Sequence, residues 1–175
     1  MKQNNMPRPN KTEYGSFYQP YINYTSGKDY SILVQQYNDR IIEFWAAIPL
    51  EKINYSYAPS KWTIKQLFQH VIDTERIFAY RALAISRQEK TPLPGFDENE
   101  YANNATAANR NWKDMIVEWR VLRQSTNLLF ASITEDQMKS MGNASNNPIS
   151  VNAIGFIIFG HALHHLHILK ERYYI

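Results

Sequence analysis

Apolar residues along this chain recur every three to four positions, the spacing of one helix face, and show no sustained alternation. Val34, Tyr37, Ile41, Phe44, Trp45 and Ile48 trace the inner face of a helix from near Asp29 to Leu50. A second stripe, Ile64, Leu67, Phe68, Val71, Phe78 and Ala82, belongs to a helix ending near Gln88. Its start is sharply marked. Thr63 is the N-cap, Gln66 completes a capping box, and Trp62 and Leu67 occupy the two positions of a hydrophobic staple. The third helix spans roughly 106 to 132, with Trp112, Met115, Ile116, Trp119, Leu122, Thr126 and Phe130 on one face. The fourth starts near Pro148 to Ser150 and runs to Tyr173. Its first half is apolar on nearly every side, which a helix covered by more than one neighbour requires.

Between these helices lie breakers. Residues 1–28 carry three prolines, two glycines and several tyrosines without a sustained period, and read as an arm that packs on the body. Residues 51 to 62 form a connection. In Thr91-Pro92-Leu93-Pro94-Gly95-Phe96-Asp97, two prolines and a glycine set a turn and then an extended crossing. A polar connection covers Met141 to Pro148. No strand and no internal repeat is evident. The expected fold is all-α, a four-helix bundle over residues 29–175 with no substantial sheet. Bundles commonly build metal sites from inward side chains on facing helices.

The length, 175 residues, fits one domain, and 44% apolar with 20% charged residues suffices for a core. No apolar run reaches the roughly 18 residues that would span a bilayer. The start, Met1 to Lys11, is polar, so neither membrane association nor a signal peptide is expected, and the cytoplasm is the expected compartment. The chain has no cysteine, which excludes disulfides, thiolate metal ligands and a Cys nucleophile. Net charge is +3, with the basic residues scattered rather than massed as a nucleic-acid binder requires. The 12 tyrosines are read as packing residues.

The chemistry concentrates in Gly160-His161-Ala162-Leu163-His164-His165-Leu166-His167, which holds four of the five histidines. At about 100° per residue, His161 and His165 fall in one arc with Ile154, Ile157, Ile158 and Ile168. His164 lies at the edge of that arc and His167 well outside it. Two neutral imidazoles one turn apart suit Zn or a similar first-row divalent ion. They equally suit two core histidines with hydrogen-bond partners. A catalytic site wants a third protein ligand, and the remaining histidine is His70, beside the stripe of the second helix. It reaches the pair only if the second and fourth helices adjoin.

Three stretches together resemble the DinB/YfiT-like family, in the DinB superfamily branch that includes bacterial thiol transferases. They are Lys61-Trp62-Thr63-Ile64-Lys65-Gln66-Leu67 leading to His70-Val71-Ile72-Asp73-Thr74-Glu75-Arg76, the Thr91–Asp97 loop, and Gly160 to His165. The resemblance covers roughly residues 29 to 173. It implies a four-helix bundle, one divalent ion (Zn or Ni) held by His70, His161 and His165, and a homodimer. Relatives include bacillithiol S-transferases, mycothiol-dependent isomerases and many metal-dependent hydrolases without a known substrate.

A divalent ion on three neutral imidazoles keeps its charge and can deprotonate a coordinating thiol. With no cysteine in the chain, that thiol must come from a cosubstrate. Transfer of a low-molecular-weight thiol to an electrophilic small molecule is therefore the first expectation. Hydrolysis by a metal-held hydroxide is the second, and a metal-stabilised binding or stress module without catalysis is the third. Asp73, one turn past His70, is the candidate base or a partner of a ligand histidine. His164 is a candidate to line the pocket or orient a ligand. Glu75 and Arg76 read as surface or loop-pairing residues, and His167 as surface or a dimer contact. The dimer itself is expected because the fourth helix carries more apolar surface than one bundle core needs.

Overall fold

A computed structural model describes residues 6–175, so the first five residues of the expected arm lie outside the described residues. The four expected helices all form: α2 (Tyr30–Ala46), α3 (Ile64–Ser86), α5 (Trp112–Ser132) and α7 (Val151–Arg172). Three shorter helices join them: α1 (Gln19–Tyr24), α4 (Glu98–Asn104) and α6 (Glu135–Met138). Both α5 and α7 pack against α2 and α3, so α2 and α3 lie on one diagonal of the bundle and α5 and α7 on the other. The second and fourth long helices are thus neighbours. The core includes all of the expected α3 stripe and, from α5, Trp112, Met115, Ile116, Trp119 and Phe130.

The caps explain where helices start. The Asp29 side chain accepts from Ile32 N at the head of α2. Thr63 and Gln66 make both bonds of the capping box on α3, with Thr63 N donating to Gln66 Oε1 at 2.9 Å. The ends were placed less well by periodicity. Helix α2 stops at Ala46 rather than Leu50, because Pro49 bars Ile48 from helical backbone. Helix α5 begins at Trp112 rather than 106. Thr106 adopts a left-handed conformation (φ 48°), and Asn111 then caps α5 through Lys113 N and Asp114 N. The residues before that break form the separate helix α4, capped by Asp97.

A small sheet also forms where only a polar connection was expected. Strands β1 (Met141–Ala144) and β2 (Asn147–Ser150) pair antiparallel, Met141 opposite Ser150 and Ala144 opposite Asn147. Ser145 and Asn146, both at positive φ, make the two-residue turn between them. Neither strand has the β-branched or aromatic alternation that announces one. The hairpin gains its place from tertiary packing instead: Ile85 of α3 lies where a Cβ on Gly142 would stand, 2.5 Å away.

The apolar excess of α7 is used within the chain. By length and composition α7 could cross a membrane, but most of it is buried inside the bundle. Besides α2 and α3 it is covered by α1, which packs across its middle. Gly160 permits that crossing, since a Cβ there would lie 2.0 Å from the carbonyl oxygen of Tyr21. The observation that suggested a dimer is therefore accounted for by the arm. Exposed apolar side chains include Val117, Val121 and Leu128 on α5, Leu83 on α3, and Phe17, Leu50 and Met141 elsewhere.

Glu75 is not at the surface. It is buried and paired with equally buried Arg123, Nη2 to Oε2 2.6 Å. The Arg123 guanidinium lies over the rings of Trp119 and Phe159, at 4.9 and 4.5 Å from their centres. Helix α3 is covered on two sides, by α5 and α7, so its buried arc is wider than one apolar stripe suggests. Arg76, one residue on, is half-exposed and bonds Glu118.

Candidate metal centre

The buried stretch of α7 turns His161 and His165 toward α3, which presents His70 opposite them. Nε2 of His161 lies 3.0 Å from Nε2 of His70 and 3.0 Å from Nε2 of His165. One ligand atom from each of the three lies within 4.8 Å of the others. All three residues are buried, between 5% and 8% exposed. Burial, foremost, pushes the His70 pKa down from 6.5 to about 4, with His164 adding to the effect. Burial likewise holds His161 and His165 well below the ordinary imidazole range, and neighbouring imidazoles lower both further. Near neutral pH the cluster therefore offers three uncharged rings, the form that binds metal.

The donor set fits a divalent ion. Bonds of about 2.0–2.1 Å require ligand nitrogens roughly 3.0–3.4 Å apart, depending on the coordination angle. Three ring nitrogens aimed at one another, rather than at protein carbonyls, leave lone pairs that a shared cation satisfies. The rings are braced from outside. Thr74 Oγ1 stands 3.4 Å from His70 Nδ1, a long contact that suits an Nδ1–H donor and leaves Nε2 free for a ligand role. Trp62 packs on the His70 ring and Tyr21 on that of His161. Nδ1 of His165 has no such partner and is fully enclosed.

The triad forms the floor of a cavity of about 450 Å³. Tyr18, Tyr21, Trp62, Phe78 and Phe96 wall it. Arg81, Ser145 and Asn147 add polar groups, and Glu98 and Asn99 reach it from α4. A larger groove of about 600 Å³ lies between α2 and α5 and does not include the histidines.

The remaining candidates divide. Asp73 does not face the triad: its Oδ1 accepts from Gln69 Nε2 at 2.9 Å and lies 3.9 Å from Arg76 Nη1. Three residues past His70 is a turn of about 300°, which carries Asp73 round toward Arg110 and Glu118. His164 lies beside the site, its ring 5.0 Å from that of His165 and in edge contact with Tyr21 and Tyr24, and it is not one of the converging three. His167 is half-exposed and pairs with Glu171 at 2.9 Å. Arg81 had a signal in the sequence: eleven residues past His70 it returns to within about 20° of the same face of α3. Tyr18 and Tyr21 had none, since the 3-10 turn Ser16–Tyr18 and the helix α1 that follows it are too short to show a period.

A helical bundle with a buried three-histidine centre under an open cavity is the class that fold and site define. The chain belongs to the DinB superfamily, whose model matches residues 33–169. Its fold is similar to that of YfiT from Bacillus subtilis, described as a probable metal-dependent hydrolase with an unusual four-helix bundle topology. The two share 14% identity over 94% of this chain and 92% of that one, with a TM-score of 0.65. No curated protein matches the chain by sequence.

Proposed function

We propose that this protein is a metal-dependent enzyme that transfers a low-molecular-weight thiol to an electrophilic small molecule, with His70, His161 and His165 holding one Zn or Ni ion. The observation that carries the reading is the pairing of a neutral triad with a cavity poor in bases. Among the described lining residues the carboxylate is Glu98, exposed on α4, while Asp73 is engaged with Gln69. Hydrolysis profits from a general base close to the reacting water. Thiol transfer does not need one once the thiol has lost its proton, and the chain supplies no thiol of its own.

When bound, a divalent ion would acidify a coordinating thiol and polarise an electrophile. The chain's own residues do the rest. Three imidazoles kept uncharged by burial hold the ion without competing protons. Thr74, beside His70 Nδ1, can accept from it and so leave Nε2 for the ion. Tyr21, Trp62 and Phe78 exclude water and offer flat apolar surface to the body of a substrate.

The description of YfiT favours a second reading, metal-dependent hydrolysis. One set of assays separates the two. Metal content and Zn or Ni titration of the wild type, His165→Ala and His167→Ala come first, with binding expected in the wild type and His167→Ala and lost in His165→Ala. Turnover of 1-chloro-2,4-dinitrobenzene is then followed with and without 2-mercaptoethanol. The carbon–sulfur bond forms, the carbon–chlorine bond breaks, chloride leaves and the thiol proton goes to solvent. Thiol-dependent turnover lost in His165→Ala supports transfer. Ester hydrolysis that needs the metal but no thiol refutes it in favour of the second reading, and metal binding undiminished in His165→Ala refutes both.

A further inference from the structure

Arg81 has no part in the chemistry above, yet it borders the cavity that the histidines floor, and the residue is only 2% exposed. A buried guanidinium carries a desolvation cost that needs an anion or several acceptors to offset it. Arg123, the other buried arginine of the core, has Glu75. Arg81 has neutral partners: Nη2 donates to Pro94 O at 2.7 Å and to Ser145 Oγ at 2.9 Å, the Tyr18 hydroxyl lies nearby, and the cation sits 5.3 Å from the centre of the Phe78 ring. Among the described residues Arg81 makes no ion pair.

Its position relative to the triad is set by α3. Residues at i, i+4, i+8 and i+11 stay within about 80° of one another, so His70, Thr74, Phe78 and Arg81 make one stripe along the cavity. The backbone of Arg81 is about 16 Å beyond that of His70 along the helix axis. A long side chain leans back toward the helix N-terminus, which brings the guanidinium nearer. Phe78 covers the interval. The cavity thus has a reactive floor, an apolar middle and a cationic far end. Glu98, exposed on α4, also borders the cavity but forms no ion pair with Arg81.

We infer that Arg81 is a substrate-binding residue and that the substrate is a small molecule with a terminal carboxylate, held by Arg81 while its apolar body lies along Phe78 and its other end meets the histidines. The planar fork of arginine matches a carboxylate. A dianionic phosphate would call for more positive charge, and Arg81 is the one Arg or Lys among the described residues lining this cavity. The inference rests on the cavity being the reaction site, and its test uses probes that react with nothing.

Zn-loaded protein is titrated by calorimetry with hexanoate and with hexanol, which share the apolar body and differ in charge. Hexanoate should bind roughly tenfold more tightly, the value of one charge-assisted contact. Arg81→Gln should remove that preference and leave hexanol affinity unchanged. Because Arg81 also ties down Pro94 and Ser145, Arg81→Lys serves as the second variant, expected to keep part of the preference. Equal binding of the two probes by the wild type overturns the inference, as does a preference that survives in Arg81→Gln, which would place the carboxylate elsewhere. Loss of hexanol and hexanoate binding together in both variants shows a strut for the loop rather than a ligand residue, and also overturns it. None of these outcomes depends on thiol transfer, so that reading and this one fail separately.

Discussion

Replacing Gly160 with alanine sets two effects of opposite sign against each other. In an exposed helix interior the change would stabilise by about 1 kcal/mol, because glycine is the poorer helix former. Here the new methyl would lie 2.0 Å from Tyr21 O and 2.5 Å from Tyr21 C. Ordinary contact needs more than 3 Å, so α1 must move by about 1 Å, and the obstacle is backbone rather than a side chain that can rotate. Overpacking of this kind costs about 1–3 kcal/mol, and a backbone collision belongs at the upper end. The net is a loss of about 2 kcal/mol, or roughly 4–8 °C in Tm for a chain of this size. The assay is thermal unfolding by circular dichroism of the metal-free protein. Displacement of α1 should also loosen Tyr21 from His161 and weaken hexanol binding in the cavity. A Tm raised by a few degrees is the outcome of helix propensity alone, and it would refute the close crossing of α1 over α7.

Two further expectations concern stability. Glu75→Ala leaves the Arg123 charge buried without its partner and should cost about 3–5 kcal/mol, measured by urea unfolding; a loss under about 1 kcal/mol would mean that the guanidinium finds water through the α2–α5 groove. Since His70 has a folded pKa of about 4 against 6.5 when unfolded, it contributes stability that is whole above pH 6.5 and falls away as the pH drops toward 4. The gap is worth about 3 kcal/mol. Comparing the pH profiles of wild-type and His70→Gln unfolding isolates this contribution, and two parallel profiles between pH 7 and 4 would exclude it.

The long helices could be read from the chain because their signals are local: a 3.6-residue period, an Asp or Thr cap, a proline at an end. Of the site, the pair on α7 was legible for the same reason, being one turn apart on one helix. His70 joined it through a resemblance and through the adjacency of two helices, which no single stripe encodes. What could not be read depends on contacts distant in sequence. The β1–β2 hairpin has no strand pattern and is held by packing on α3. Glu75 looks like a surface carboxylate until Arg123, 48 positions later, is brought against it. Asp73 fails for a simpler reason: three residues past His70 it is turned about 60° to the side away from Thr74, where Gln69 and Arg76 engage it.

The crossing of α1 over α7 divides the cavity between two tracts of chain. The segment that matches the superfamily begins at residue 33 and includes the three histidines and Arg81. Phe17, Tyr18 and Tyr21, which also border the cavity, all precede it. The three histidines and part of the cavity wall thus lie on different tracts of chain, joined where Tyr21 meets His161. A change at Phe17, Tyr18 or Tyr21 would then reshape the space facing the three imidazoles from outside the helices that carry them.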